Sequence, residues 1–275
     1  MKNYVFIFDL FIEYTSFLLN SYFIEYKVVL MEKTVTIQII SDVHTEFMPG
    51  SWKSKLIALL VKADITILAG DIVNHASKLK DFLMVVKEFS DRVIYVTGNH
   101  EYYKKSTDEE YREVCSEIEG VHFLQRDRVQ IEGIWFAGAT LWTNIDNYAA
   151  KMMNDPFSGE EIRAKHQVDL DWLQENVQEG DVVITHHLPS LKLIHPQYKG
   201  SNINSGFASD LDEVISALKP VIWVSGHTHT PFDLMHENTR LLVNPVGYPG
   251  ENKDFKPVVV SVTVPVPVPL AKSSE

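Results

Sequence analysis

From Thr34 onward the apolar positions of this chain fall into two alternating rhythms. Short runs dense in β-branched residues, TVTIQIIS (34–41), DITILAG (64–70) and RVIYVTG (92–98), read as buried strands. Between them WKSKLIALLVK (52–62) and SKLKDFLMVVKEF (77–89) carry apolar residues at helical spacing, and a third helical stretch covers 107–119. Strands alternating with helices in this way indicate an α/β domain with parallel strands. The segments VHFLQ, RVQIE and IWFAGATLW (121–142) then read as antiparallel β structure. A surface loop (144–159), a helix near 160–177 and the strand DVVIT (181–185) follow. A second loop (190–207), with Gly200 and Gly206, is a candidate lid or substrate wall. A helix at 210–219 feeds the strand VIWVS (221–225), and DLMHE, RLLVN and PVVVSVTV continue as sheet. VPVPVP (264–269) reads as a polyproline-like tail.

The predicted strands stop on polar residues. After them come Asp42 and His44, then Asp71, then Asn99 and His100, then His186 with His187, and last His227 and His229 behind Gly226. In open α/β sheets the carboxyl ends of the strands form the ligand crevice, so these side chains stand where chemistry would need them. Carboxylates, imidazoles and an amide without thiolates suit Mn, Fe, Zn or Ni better than Cu(I) or an iron–sulfur cluster; Mg prefers more oxygen. The donors suffice for two ions, and two-metal sites clamp the attacking and leaving oxygens of an in-line displacement. His227 and His229 would point to opposite faces of an extended chain. Where the chain turns after Gly226, they could serve two neighbouring ions instead. Each residue alone has a plainer account: Asp42, Asp71 and Asn99 as strand-end caps and turn formers, the histidine pair as a solvated loop.

Composition adds limits. With 275 residues the chain can bury one large core or two small ones, and neither a linker nor a repeat divides it. A formal charge of −12 argues against sequence-independent binding of long nucleic acid, which needs a basic surface. It leaves phosphorylated small molecules open, because bound metal supplies positive charge that the count omits. The single Cys115 excludes an internal disulfide and a Cys-rich zinc site; a half-buried or buried helix position and a reducing cytoplasm fit it. Residues 1–33 read as an extra leader, rich in aromatics but broken by Asp9, Glu13, Glu25 and Lys27. Its uncharged stretch between Glu13 and Glu25 falls short of the ~20 residues of a membrane span, and no secretory pattern is present. A natural start at Met31 is the expected reading, with an interfacial anchoring helix as its rival.

Five blocks, SDVH, GDIVN, GNHE, THH and GHTH, occur in that order at the strand ends. Over 34–264 the chain resembles the calcineurin-like metallophosphoesterase family, with the leader (1–33) and the Pro-Val tail (265–275) outside the likeness. The resemblance implies a four-layer αββα sandwich with two packed mixed β-sheets. It also implies two divalent transition-metal ions, with Mn as first choice and Fe, Zn, Ni or Mg as alternatives. Asp42, His44 and His229 would hold one, Asn99, His186 and His227 the other, and Asp71 would bridge them. His100 would be the catalytic residue, stabilising the phosphoryl group and protonating the leaving oxygen. Of the adjacent pair, His186 holds the motif position and His187 is left as a hydrogen-bonding neighbour. Glu101 would orient an imidazole or lie at the surface.

His75, His122, His166, His195 and His236 match no block and are expected as surface or core histidines, with His75 and His195 near enough to site loops to touch substrate. One departure stands out: many members carry a carboxylate three residues after the bridging Asp, where this chain has the uncharged Asn74. That argues against the protein Ser/Thr phosphatase branch. The expected function is hydrolysis of a phosphomonoester or phosphodiester of a small molecule or nucleotide by metal-activated water. The alternatives are a non-catalytic metal-stabilised scaffold for a protein partner and a hydrolase of C–N or C–O bonds. Retention of all the ligand positions and His100 weighs against the first, and the Gly-Asn-His block against the second.

Overall fold

Strand β1 (Leu30–Ile40) pairs in parallel with β2 (Ile65–Ala69), β2 with β3 (Arg92–Val96), and β3 with β4 (Val121–Phe123). On the far side of β1 lies the antiparallel edge strand β11 (Val258–Pro267). The second sheet has the order β5 (Asp127–Ile131), β6 (Ile134–Ala139), β7 (Val182–Thr185), β8 (Ile222–Ser225), β10 (Thr239–Val243) and β9 (Phe232–His236). Its four inner strands are parallel and both edge strands antiparallel. This computed structural model describes residues 30–48, 50 and 52–267. The expectations for the leader before Leu30, an anchoring helix included, lie outside them. No helix among the described residues is long and apolar enough to cross a membrane.

Period-two alternation sets the layers. Ile37, Ile67 and Ile94 of the first sheet and Phe136, Ile184 and Val224 of the second meet between the sheets. On the outer face of the first sheet, Leu68 and Tyr95 pack against α1 (Trp52–Leu59), α2 (Leu79–Val86) and α3 (Asp108–Ser116) through Leu56, Phe82 and Tyr111. On the outer face of the second, Val183 and Trp223 pack against Leu173 of α4 (Gly159–Asn176) and Ile215 of α5 (Asp212–Leu218). Each such side chain contributes about 1.5–3 kcal/mol when removed from water. Burial on both faces therefore fixes the order as helix, sheet, sheet, helix, the four-layer α/β sandwich. A capping box, Thr107 with Glu110 and Ser158 with Glu161, starts each of α3 and α4. Cys115 is buried on α3.

Two segments differ from the pattern reading. Antiparallel structure is expected throughout 121–142, but only β5 and β6 form it; β4 joins β3 in parallel in the first sheet. The chain changes sheets at Leu124–Arg126, where Arg126 adopts φ 55°, and a strand of three residues says nothing about its partner. Residues 265–267, expected in a polyproline-like tail, continue β11 opposite Glu32 to Leu30. Prolines two apart leave their missing N–H groups on one side of the strand, which an edge strand can leave unpaired.

Candidate metal centre

The carboxyl ends of β1, β2 and β3 meet those of β7 and β8, and the chain leaves each strand through a tight turn. Asp42, His44, Asp71, His227 and His229 all have left-handed backbones, with φ between 47° and 72°. Such conformations are uncommon outside glycine and are held only where surrounding contacts determine them. Their effect is to break the strand alternation and aim the side chains inward. His227 thereby joins Asp71 and His186, and His229 joins Asp42 and His44, so residues two apart serve two clusters. Glycines allow the close approach. A Cβ on Gly98 would lie 2.7 Å from both the Asp71 backbone nitrogen and His186 Cε1, and one on Gly226 would lie 2.8 Å from Asp42 Oδ2.

Asp71 stands between the clusters. Its Oδ1 accepts the His100 N–H at 2.9 Å. Its Oδ2 lies 3.4 Å from His186 Nε2, 3.8 Å from His44 Nε2 and 3.9 Å from His100 Nε2. In the other cluster His44 Nε2 and His229 Nε2 converge to 2.9 Å, and Asp42 Oδ1 is 3.6 Å from His229 Nε2. Asp42 Oδ1 also accepts the His227 N–H at 2.8 Å, tying the two sheets together.

The donors are orientated from behind. His186 Nδ1 donates to the Ala69 carbonyl at 2.9 Å and His229 Nδ1 to Glu251 at 2.7 Å, so each presents Nε2 to the cluster. His227 spends Nε2 on the Gly206 carbonyl at 3.3 Å, which leaves Nδ1 for a ligand. The Asn99 amide nitrogen donates to Tyr103 at 2.9 Å and to Asp155 at 3.0 Å, which turns Oδ1 inward. Asn99 Oδ1 and His186 Nε2 are then buried polar atoms with no hydrogen-bond partner among the described residues. Leaving such atoms unpaired costs about 1–3 kcal/mol each. Two unpaired ligand atoms in the buried site, one of them 3.4 Å from Asp71 Oδ2, are what a cation would satisfy, and the residues fit a divalent ion.

Electrostatics agree. Burial pulls His186 down, but the nearby Asp71 charge outweighs it and raises its pKa to about 10. Burial likewise opposes His44, yet hydrogen bonding to Glu46 and the charges of Asp71 and Asp42 leave it raised. Burial would raise Asp71, but His186, His44 and His100 overcome it and hold the carboxyl well below the usual carboxylate range. The paired aspartates thus draw positive charge into the centre. His227, buried and beside His186, falls to about 3 and stays neutral, the form that can bind a metal.

Three features escape the motif reading. Glu46 Oε1 accepts His100 Nδ1 at 2.8 Å and lies 3.4 Å from His44 Nδ1. Its place two residues after His44 in the first block was the available signal. Glu101 neither orients an imidazole nor lies at the surface. Its buried carboxylate accepts the backbone N–H groups of Asp71, Ile72 and Gly98 and the Tyr95 hydroxyl, holding two ligand-bearing turns together. Tyr248 brings its hydroxyl to 3.4 Å from His100 Nε2. His187 is a neighbour as expected, buried, stacked on Trp142 and directed at the Thr140 carbonyl. His195 reaches the cavity over the centre, whereas His75 caps a short 3₁₀ turn through Ser77 and is not among that cavity's lining residues.

The calcineurin-like phosphoesterase model matches residues 35–231. The chain belongs to that family. It is accordingly a metal-dependent phosphoesterase, and the clustered His and Asp donors are placed for divalent-metal binding. It is 28% identical over 262 residues to the uncharacterized protein L509 of Acanthamoeba polyphaga mimivirus, across 79% of this chain and 93% of that protein. Its fold is similar to that of the phosphopantetheinyl hydrolase of Mycobacterium tuberculosis, with a TM-score of 0.65, 17% identity and coverage of 82% of this chain and 95% of that one. The TT1561 protein of Thermus thermophilus is also similar, with a TM-score of 0.51, 15% identity and coverage of 78% and 90%.

Proposed function

We propose that this phosphoesterase works with two divalent cations, one held by Asp42, His44 and His229, the other by Asn99, His186 and His227, with Asp71 shared. The observation that carries this reading is the position of Asp71 Oδ2 between two donor clusters, one of which contains His186 Nε2, buried and without a hydrogen-bond partner among the described residues. The mixed imidazole and carboxylate set suits Mn, Fe, Zn or Ni, with Mg as a further alternative, and the family resemblance puts Mn first. Bound there, such ions lower the pKa of water toward neutrality and take up charge on phosphoryl oxygens. Asp71 and Asp42 supply the negative charge that holds cations, and the buried carbonyl and carboxylate partners fix each imidazole. His100 gives Nδ1 to Glu46, so Nε2 is the atom that passes a proton to the departing oxygen.

The substrate is a small phosphate ester, nucleotides included, acted on in a cytoplasmic setting that keeps the Cys115 thiol reduced. Hydrolysis of 4-nitrophenyl phosphate and its diesters by metal-stripped protein, restored with each ion in turn, tests the reading. Turnover should return only with metal; none with any metal would refute it.

A further inference from the structure

The space over the centre divides at His100. One cavity, of about 450 Å³, is walled by Met153, Ile194, Tyr198, Ile203, Phe207 and Tyr248, and among the described residues no Lys or Arg lines it. A second, of about 550 Å³, is lined by Asn74, Lys104, Asn154 and Asp155 with Glu46 and Phe47. His100 and Tyr103, stacked with ring centroids 4.4 Å apart, are the residues that line both. Thus one wall is aromatic and apolar, the other polar with a single lysine, and they meet at the imidazole that handles the leaving oxygen.

A phosphomonoester carries one organic group and a diester carries two. We infer that the natural substrate is an unsymmetrical phosphodiester, with a flat apolar group in the Tyr198–Phe207 cavity and a polar group in the Lys104 cavity. The inference rests on the phosphoesterase reading and chooses within it. Apolar and aromatic walls around a few polar groups are the usual construction of a small-molecule pocket. The reaction balances simply: the water oxygen bonds to phosphorus, the P–O bond to one alcohol breaks, and that alcohol departs with a proton. The other alcohol remains as its phosphomonoester.

The test compares ethyl 4-nitrophenyl phosphate with 4-nitrophenyl phosphate in the metal-restored protein, then Tyr198→Ala, Tyr198→Phe and Lys104→Ala. Tyr198 is exposed, so its replacement does not open the core. The diester should be preferred by at least about tenfold in kcat/KM. Tyr198→Ala should raise KM for the aryl diester about fivefold with kcat little changed, while Tyr198→Phe retains the wild-type KM. Lys104→Ala should matter only when the ethyl group is replaced by carboxyethyl. Preference for the monoester, or an unchanged KM in Tyr198→Ala, overturns the inference while leaving the phosphoesterase intact. Turnover of neither ester with any metal removes both.

Discussion

Glu46 Oε1 sits 2.8 Å from His100 Nδ1, across 54 residues of sequence, and the same carboxylate reaches His44. Burial would raise the Glu46 pKa, but the hydrogen bonds from His100 and His44 outweigh it and bring it down to about 2. The carboxylate is therefore ionised at neutral pH, and by taking Nδ1 it leaves Nε2 of His100 toward Asp71. Glu46→Gln should keep bound metal and lower kcat about tenfold or more with KM little changed, measured by steady-state kinetics alongside elemental analysis. An unchanged kcat would remove Glu46 from the positioning of His100.

The same contact gives a pH dependence in the metal-free protein. The folded-state pKa of Glu46 lies below its ordinary 4.5, so the stabilisation is fully present above that value and is lost as pH falls toward about 2. At most it amounts to about 3 kcal/mol. Thermal melts from pH 6 to pH 3 should show a steeper acid limb for wild type than for Glu46→Gln. Parallel limbs would contradict the linkage.

Gly98 is needed for room. Any side chain there meets the Asp71 backbone and His186, neither of which can swing aside without disturbing the Asp71–His186–His227 cluster. Gly98→Ala should destabilise the fold by about 1–3 kcal/mol and weaken metal binding, read by chemical denaturation and metal titration. Wild-type values of both would show that the turn has slack.

Much of this architecture can be read along the chain because strand ends carry the donors. Runs such as ITILAG and VIWVSG need burial, and each stops where a polar residue leaves the sheet, so Asp42, Asp71, Asn99, His186 and His227 declare themselves by position. Their partners do not. Glu46 with His100, Asn99 with Asp155 and His229 with Glu251 are brought together by packing across 54, 56 and 22 residues, with no local periodicity to mark them. Glu101 is hidden differently, since a carboxylate beside a motif histidine gives no sign that it will bind backbone N–H groups. The parallel pairing of β4 is invisible for a related reason: the partner of so short a strand is set by the sheet it reaches.

Asp155 lies in the loop after β6 and directs the Asn99 amide. With Asp155→Ala, one of the two acceptors of the Asn99 amide nitrogen is lost and Oδ1 is free to turn away from the centre. Activity or metal affinity should fall about 10–100-fold, with the stronger effect at one of two ions. Equal weakening of both ions in a titration would place Asp155 outside the Asn99 half of the centre.

The shared carboxylate is the central claim, and the most direct measurement counts ions. Isothermal titration of metal-stripped protein with Mn, checked by elemental analysis of the dialysed complex, should give two ions per chain for wild type. Asp71→Asn should lose tight binding of both, because Asp71 Oδ2 lies between the two donor clusters, 3.8 Å from His44 and 3.4 Å from His186. One ion in wild type, or two tightly held ions in Asp71→Asn, would contradict the account.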